Sequence, residues 1–320
     1  MRSLRLLGIL IAVALLAQSA VFACSVCRCG DQSFFINNAR QLTAGRLLFA
    51  VDHFNTRKSA ARHHHHHDDH HQGLGLAKIS APLGIQHGEA ELDSHVHNAV
   101  QLTLKYGVSN RIMLMASVPY TFNRISNQDG AETADGLGDP EIMAMAHLLS
   151  FANGAWQLQG VAGSRVPLGN SEQKNAAGEL LDQHLQTGSG AWAGIFGAQL
   201  LHPSGSVPLF FSASYQANGA NDQGFAYGNV FRFNAAAQKA LFNPVDVIAE
   251  INGRTADYDD AGGEVDPNSG GTVVYFSPGL RLRLGGALSL RGQVQIPVVE
   301  NLHGEQNEKV NVRTGLVWSL

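Results

Sequence analysis

Cysteine is scarce and confined to one place. The chain has three, Cys24, Cys27 and Cys29, so no disulfide can staple distant parts of the fold. Charge is also thin: 15% of residues are charged, the net charge is −4 and the pI is near 6.4. That leaves no electrostatic footprint for nucleic acid. Beyond residue 23 no apolar run is long enough to cross a bilayer as a helix. No Gly-x-Ser-x-Gly elbow and no His-Glu-x-x-His pair occurs, and His147 and His202 lack a convincing Ser–Asx partner, so the sequence argues against an enzyme.

What is present begins with an export signal. Arg2 and Arg5 precede an apolar run over 6–16 and a small-residue site at Val21-Phe22-Ala23, the pattern of a cleaved secretory signal peptide spanning 1–23. Cleavage would leave Cys24 at the new terminus. Lipidation of Cys24 is the competing reading, although Phe22 is bulky for that signal. Residues 24–42 then form a periplasmic, Cys-containing segment. In an oxidising compartment two of its thiols pair; alternatively Cys24, Cys27 and Cys29 hold Cu(I) or Zn as soft thiolates. Arg28 stands where haem attachment would require His, which argues against haem.

From residue 43 onward the chain is rich in glycine, with 35 in total, and falls into segments of alternating apolar and polar side chains. Strict alternation places two environments on the two faces of a strand. The clearest cases are 287–298 and 310–320. In the first, Leu288, Leu290, Val294, Ile296 and Val298 oppose Ser289, Arg291, Gln293 and Gln295. Similar patterns at 100–106, 111–120, 156–167, 209–217, 225–238, 244–254 and 271–284, with weaker ones at 43–54, 138–149 and 190–202, predict about twelve strands. Tight connections at 107–110, 152–154, 203–206, 241–243 and 285–286 alternate with longer ones at 55–98, 121–137, 168–189, 218–224, 255–270 and 299–309. Short turns on one side and long loops on the other predict an all-β antiparallel transmembrane barrel over 43–320, with periplasmic turns and extracellular loops. Tyr106, Tyr120, Trp156, Tyr227 and Trp318 fall near strand ends, where a membrane interface favours amphipathic rings.

The polar face carries charge that a dry protein core would tolerate poorly but a wet lumen accepts. Arg281, Arg283, Arg291 and Arg313, with Arg46 and Lys105 after closure, should form a basic arc facing Asp246 and Glu250. Such an arc either sets pore selectivity or braces and partly occludes a narrow barrel through salt bridges.

Several short motifs resemble a known family. Tyr106-Gly107-Val108-Ser109-Asn110-Arg111, Ser117-Val118-Pro119-Tyr120, Asp135-Gly136-Leu137-Gly138-Asp139, Val166-Pro167-Leu168-Gly169 and Leu185-Gln186-Thr187-Gly188-Ser189-Gly190 are similar to those of the outer-membrane proteins named after the meta-pathway of phenol degradation. The resemblance covers about 44–320. It implies a transporter-like barrel in the bacterial outer membrane, with small, including aromatic, molecules as cargo.

The first long loop departs from that pattern. It holds His63, His64, His65, His66, His67, Asp68, Asp69, His70 and His71, and eleven of the fifteen histidines lie between residues 53 and 97. Neutral imidazoles with nearby carboxylates suit Zn, Cu or Ni, whereas a plain solvated loop would collect such metals without a selected role. The sequence therefore points to an outer-membrane channel or transport-associated barrel for small solutes, with a metal-binding first loop. Its partners would be membrane lipid, a small solute and metal ions, without nucleic acid or any required cofactor; the sequence names no protein partner. The alternative is a metal-binding or metal-sensing surface protein anchored by its barrel.

Overall fold

The computed structural model describes residues 42–60, 93–127, 130–285, 287–304 and 306–320. The expected signal peptide, Cys24, Cys27 and Cys29, and the His63-to-His71 run lie outside these residues. Twelve long strands form the wall: β1 (Leu47–Ala60), β2 (Asp93–Gly107), β3 (Ile112–Asn127), β4 (Glu141–Phe151), β5 (Trp156–Arg165) and β6 (Ala193–His202) make the first half. The second half comprises β7 (Leu209–Asn218), β8 (Val230–Phe242), β9 (Val245–Ala256), β10 (Gly271–Gly285), β11 (Leu288–Leu302) and β12 (Asn311–Ser319). Each pairs antiparallel with its chain neighbours, and β1 pairs with both β2 and β12, closing the sheet. Closure satisfies the backbone groups of every strand, the condition for crossing hydrocarbon without a helix. Among the described residues no helix is long and apolar enough to cross a membrane.

The alternation in the sequence becomes the two faces of this wall. On β11, Leu290 and Val294 are exposed at 41% and 39%, whereas Arg291, Gln293 and Gln295 are buried. On β12, Leu316 and Trp318 point outward while Asn311 and Arg313 point inward. The strands meet in tight turns at one end. At the β4–β5 turn, Ala152, Asn153 and Gly154 all have positive φ, at 50°, 56° and 82°, a conformation that glycine adopts freely and asparagine tolerates.

At the long-loop end the strands run further than the polar composition suggested. β1 and β2 stay paired from Leu47↔Tyr106 to Ala60↔Asp93, so the first long connection is shorter than 55–98. The expected loop 121–137 is largely a hairpin in which Gly130–Leu137 pairs back onto β3. Polar residues here leave the lipid zone without leaving the ladder. Conversely, 225–229 does not begin β8: Phe225–Ala226 instead joins Asp260–Ala261 and Glu264–Val265 in a small separate sheet. Gln306–Glu308 pairs with the end of β1.

Inside, the barrel is layered. The short-turn end has an apolar floor: Met113, Met115, Met143 and Met145 with Val161 and Ile195; Leu48, Ala50 and Val317; and Leu201, Phe210 and Ala236. Leu42, just before β1, packs against the first two groups. Above the floor lies a polar layer.

Candidate lumen and loop-docking site

The polar layer is held by ion pairs between strands. Arg291 on β11 grips Asp52 on β1, with Nη2 at 2.5 and 2.6 Å from the two carboxylate oxygens. These strands are not neighbours, because β12 runs between them and places Gly315 opposite both residues. A Cβ at Gly315 would lie 1.9 Å from Asp52 Oδ1, so the bridge closes only because that position has no side chain. Asp246 sits 3.7 Å from Arg281 and 3.4 Å from Arg283 and accepts a bond from Gln238. Glu250 accepts from Asn234 and, at 2.8 Å, from Gln293. Near the long-loop end Glu308 joins Lys58 and Arg254.

The structure thus places Lys105, Asp246, Glu250, Arg291 and Arg313 buried on the inner face, and leaves Arg281 and Arg283 partly exposed. Arg46 precedes β1 and is exposed, outside this group. The arginine set does not stand as a bare arc: carboxylates meet Arg281, Arg283 and Arg291, and Arg313 lies 5.5 Å over the Phe54 ring. Alternation identified the arginines as inward; it gave no signal for Asp52, the partner brought to Arg291 by closure. His147 bonds Ser150 at 3.1 Å. Tyr227 is not a surface ring: its hydroxyl donates to the Gln183 carbonyl, and it packs edge-on against His184 and Phe225.

The long segment 168–189 folds across the barrel and is pinned at its base. Asp139, 6% exposed, accepts hydrogen bonds from Gly169 N (2.9 Å), Ser189 N (2.7 Å) and Ser189 Oγ (2.6 Å). Gly169 and Gly188 cross in backbone contact, where a Cβ on either would fall within 2.6 Å of the other. A Cβ at Gly138 would lie 2.9 Å from Pro119. Four of the five short motifs, around Pro119, Gly138–Asp139, Gly169 and Gly188–Ser189, therefore meet in one place. Further toward the long-loop end, Asn123 on β3 donates to the carbonyls of Leu185 and Gln186 at 2.9 and 3.1 Å, and Leu185 and Gln186 are wholly buried.

A second clasp joins the segment to residues 257–269. His184 lies 3.2 Å from Asp182 and 2.8 Å from buried Asp259. Burial alone would lower its pKa, but hydrogen bonds to both carboxylates outweigh that and raise it well above the usual 6.5. Both ring nitrogens thus face carboxylate oxygens, an arrangement that favours the protonated imidazole.

Beneath the docked segment lies a cavity of about 60 Å³, room for a few waters or part of a small solute. Its walls are mixed, with Phe54, Ala99 and Pro119 beside Gln101, Ser117 and Thr121. The charged groups at its edge include Glu141 and Arg165, paired at 3.0 Å. Among the described residues no group of three or more His, Cys, Asp or Glu could hold a metal.

Residues 84–305 match the family described as "Putative MetA-pathway of phenol degradation". The chain belongs to that family. Its structure is similar to that of the COG4313 outer membrane channel from Pseudomonas putida F1, with a TM-score of 0.60 at 14% identity, covering 87% of this chain and 97% of that one. It is also similar to the beta domain of the Bordetella autotransporter Brka, with a TM-score of 0.49 at 9% identity over 86% of this chain and 100% of that one. The search of curated proteins finds no match. The family member described here is an outer-membrane β-barrel, so its tight turns face the periplasm and its long loops the exterior.

Proposed function

We propose that this barrel is a channel for small, uncharged solutes, kept narrow by paired charges in its lumen and by the segment 168–189 across its outer mouth. The observation that carries this reading is the mixed cavity beneath that segment. The carboxylates of Asp139 and Glu141 balance the guanidinium groups of Arg165 and Arg313 around it, so the lining carries no net charge for an ion, while Phe54 and Pro119 beside Ser117, Thr121 and Gln101 suit a small ring bearing a hydroxyl. The phenol pathway in the family description agrees with such a cargo. In planar bilayers we expect a small ohmic conductance that neutral hydroxylated aromatics block reversibly and sugars or carboxylates do not. Block by anions alone would refute the neutral-cargo reading.

The filled lumen also favours a second reading, in which the barrel anchors a metal-binding surface loop. The run His63 to His71, outside the described residues, would supply several weakly selective sites for Zn, Ni or Cu, with Cys24, Cys27 and Cys29 as further soft ligands. Absence of conductance, together with loss of metal uptake on deleting 63–71, would select it.

A further inference from the structure

The chain has five methionines. All except Met1 stand together on the inner face, near the periplasmic end. Met113 and Met115 on β3 face Met145 and Met143 on β4 as direct cross-strand partners, and all four are at most 4% exposed. Cross-strand partners have Cβ atoms ~5 Å apart, and successive same-face residues lie ~6.7 Å apart along a strand. The four stems thus start from the corners of a small rectangle, and three rotatable bonds let each thioether swing toward its centre.

The neighbouring strand makes room for this grouping. Gly163 on β5 is the ladder partner of Met143, and a Cβ there would lie 2.4 Å from Met143 Cγ. An apolar floor alone does not require methionine, because Leu48 and Leu201 serve in the adjoining clusters.

We propose that Met113, Met115, Met143 and Met145 form a binding site for a soft monovalent cation, Cu(I) or Ag(I). Thioethers are neutral soft donors that select such ions, and the nearest carboxylate on the same face, Glu141, one inward position beyond Met143, is already paired with Arg165. Neutral ligands do not compensate a buried divalent charge, whose desolvation cost rises steeply. Lys105, the cross-strand partner of Met115, weighs further against a second positive charge. Leu42, packed on the cluster from the chain entering β1, is the side chain an ion from the periplasm would displace.

The test must separate this site from the histidine and cysteine segments, which also take up soft metals. Methionine methyl groups labelled with ¹³C in the folded full-length barrel supply the needed probe, each assigned by a single Met→Leu variant. With Ag(I) added beyond the capacity of the histidines and cysteines, at least three of the four resonances should move and saturate together, whereas Zn(II) should leave them in place. In the Met113→Leu/Met143→Leu barrel, retention of the heat-dependent gel shift would show folding, and the two remaining methyls should no longer respond at the Ag(I) concentration that saturates the wild type. Methyl resonances that stay fixed under excess Ag(I), or that respond equally in the double variant, would overturn the proposal.

Discussion

Gly315 shows how one residue can decide an interaction that it does not itself make. Its missing side chain opens the path along which Arg291 reaches Asp52, 239 positions away in sequence. Alternation alone marks Arg291 as inward, but neither the carboxylate nor the clearance is legible until the barrel closes. Removing one member of such a buried pair leaves an uncompensated charge, which costs ~3–5 kcal/mol. Asp52→Ala should lower unfolding stability in lipid vesicles by about that amount, and Gly315→Val should do nearly the same while leaving both charges in place. If Gly315→Val is neutral in urea titrations, the clearance is not what permits the bridge. His184 gives a second residue-level expectation. Its pKa is raised in the folded loop, so its clasp on Asp182 and Asp259 is complete below pH ~6.5 and is lost as pH rises through the elevated value. Proteolysis of 168–189 should therefore accelerate above neutral pH in the wild type. His184→Ala should cleave faster at neutral pH and lose that dependence.

At the scale of the strand, period-two alternation was the strongest signal in the sequence, and it placed Leu290 and Val294 on one face and Arg291 and Arg313 on the other, as the structure does. Strand ends were less legible, for a physical reason. Above the lipid zone an outward residue meets water, so Asn55 to Ala60 and Thr121 to Asn127 read as loop while their backbones remain in the ladder. Phe225–Ala226 failed in the opposite direction, because an apolar pair inside an extracellular loop cluster mimics the start of a strand. The lipid face itself can be tested. Leu290→Arg should cost ~2–4 kcal/mol if it lies near the midplane, and much less toward either interface. The same change on the inner face, Gln101→Arg on the cavity wall and opposite Asp52 in the ladder, should cost less than Leu290→Arg, read from refolding yields into vesicles. Equal losses on the two faces would mean that the inner face is as dry as the lipid.

For the molecule as a whole, the wall and the contents have different freedoms. A closed ladder cannot widen without breaking hydrogen bonds that lipid will not replace, so any solute larger than the present cavity must displace what fills the lumen. The apolar floor is packed from several strands, whereas the segment 168–189 crosses the mouth with its base held at Asp139 and its middle at Asn123 and His184. Four of the five motifs that revealed the family proved to be parts of this clasp, which their sequence alone did not show. Asp139→Ala removes three hydrogen bonds from the base of the segment and touches no pair of the β-ladder, so the heat-dependent gel shift should survive. Local opening of this kind requires only the few kcal/mol that docked loops commonly have in reserve. Conductance should therefore rise several-fold in Asp139→Ala, and block by neutral aromatics should weaken as the cavity loses its roof. If conductance instead stays at the wild-type level while the segment becomes protease-sensitive, the constriction lies at the methionine floor. Substituting Leu42 with Ala should then be the change that opens the channel.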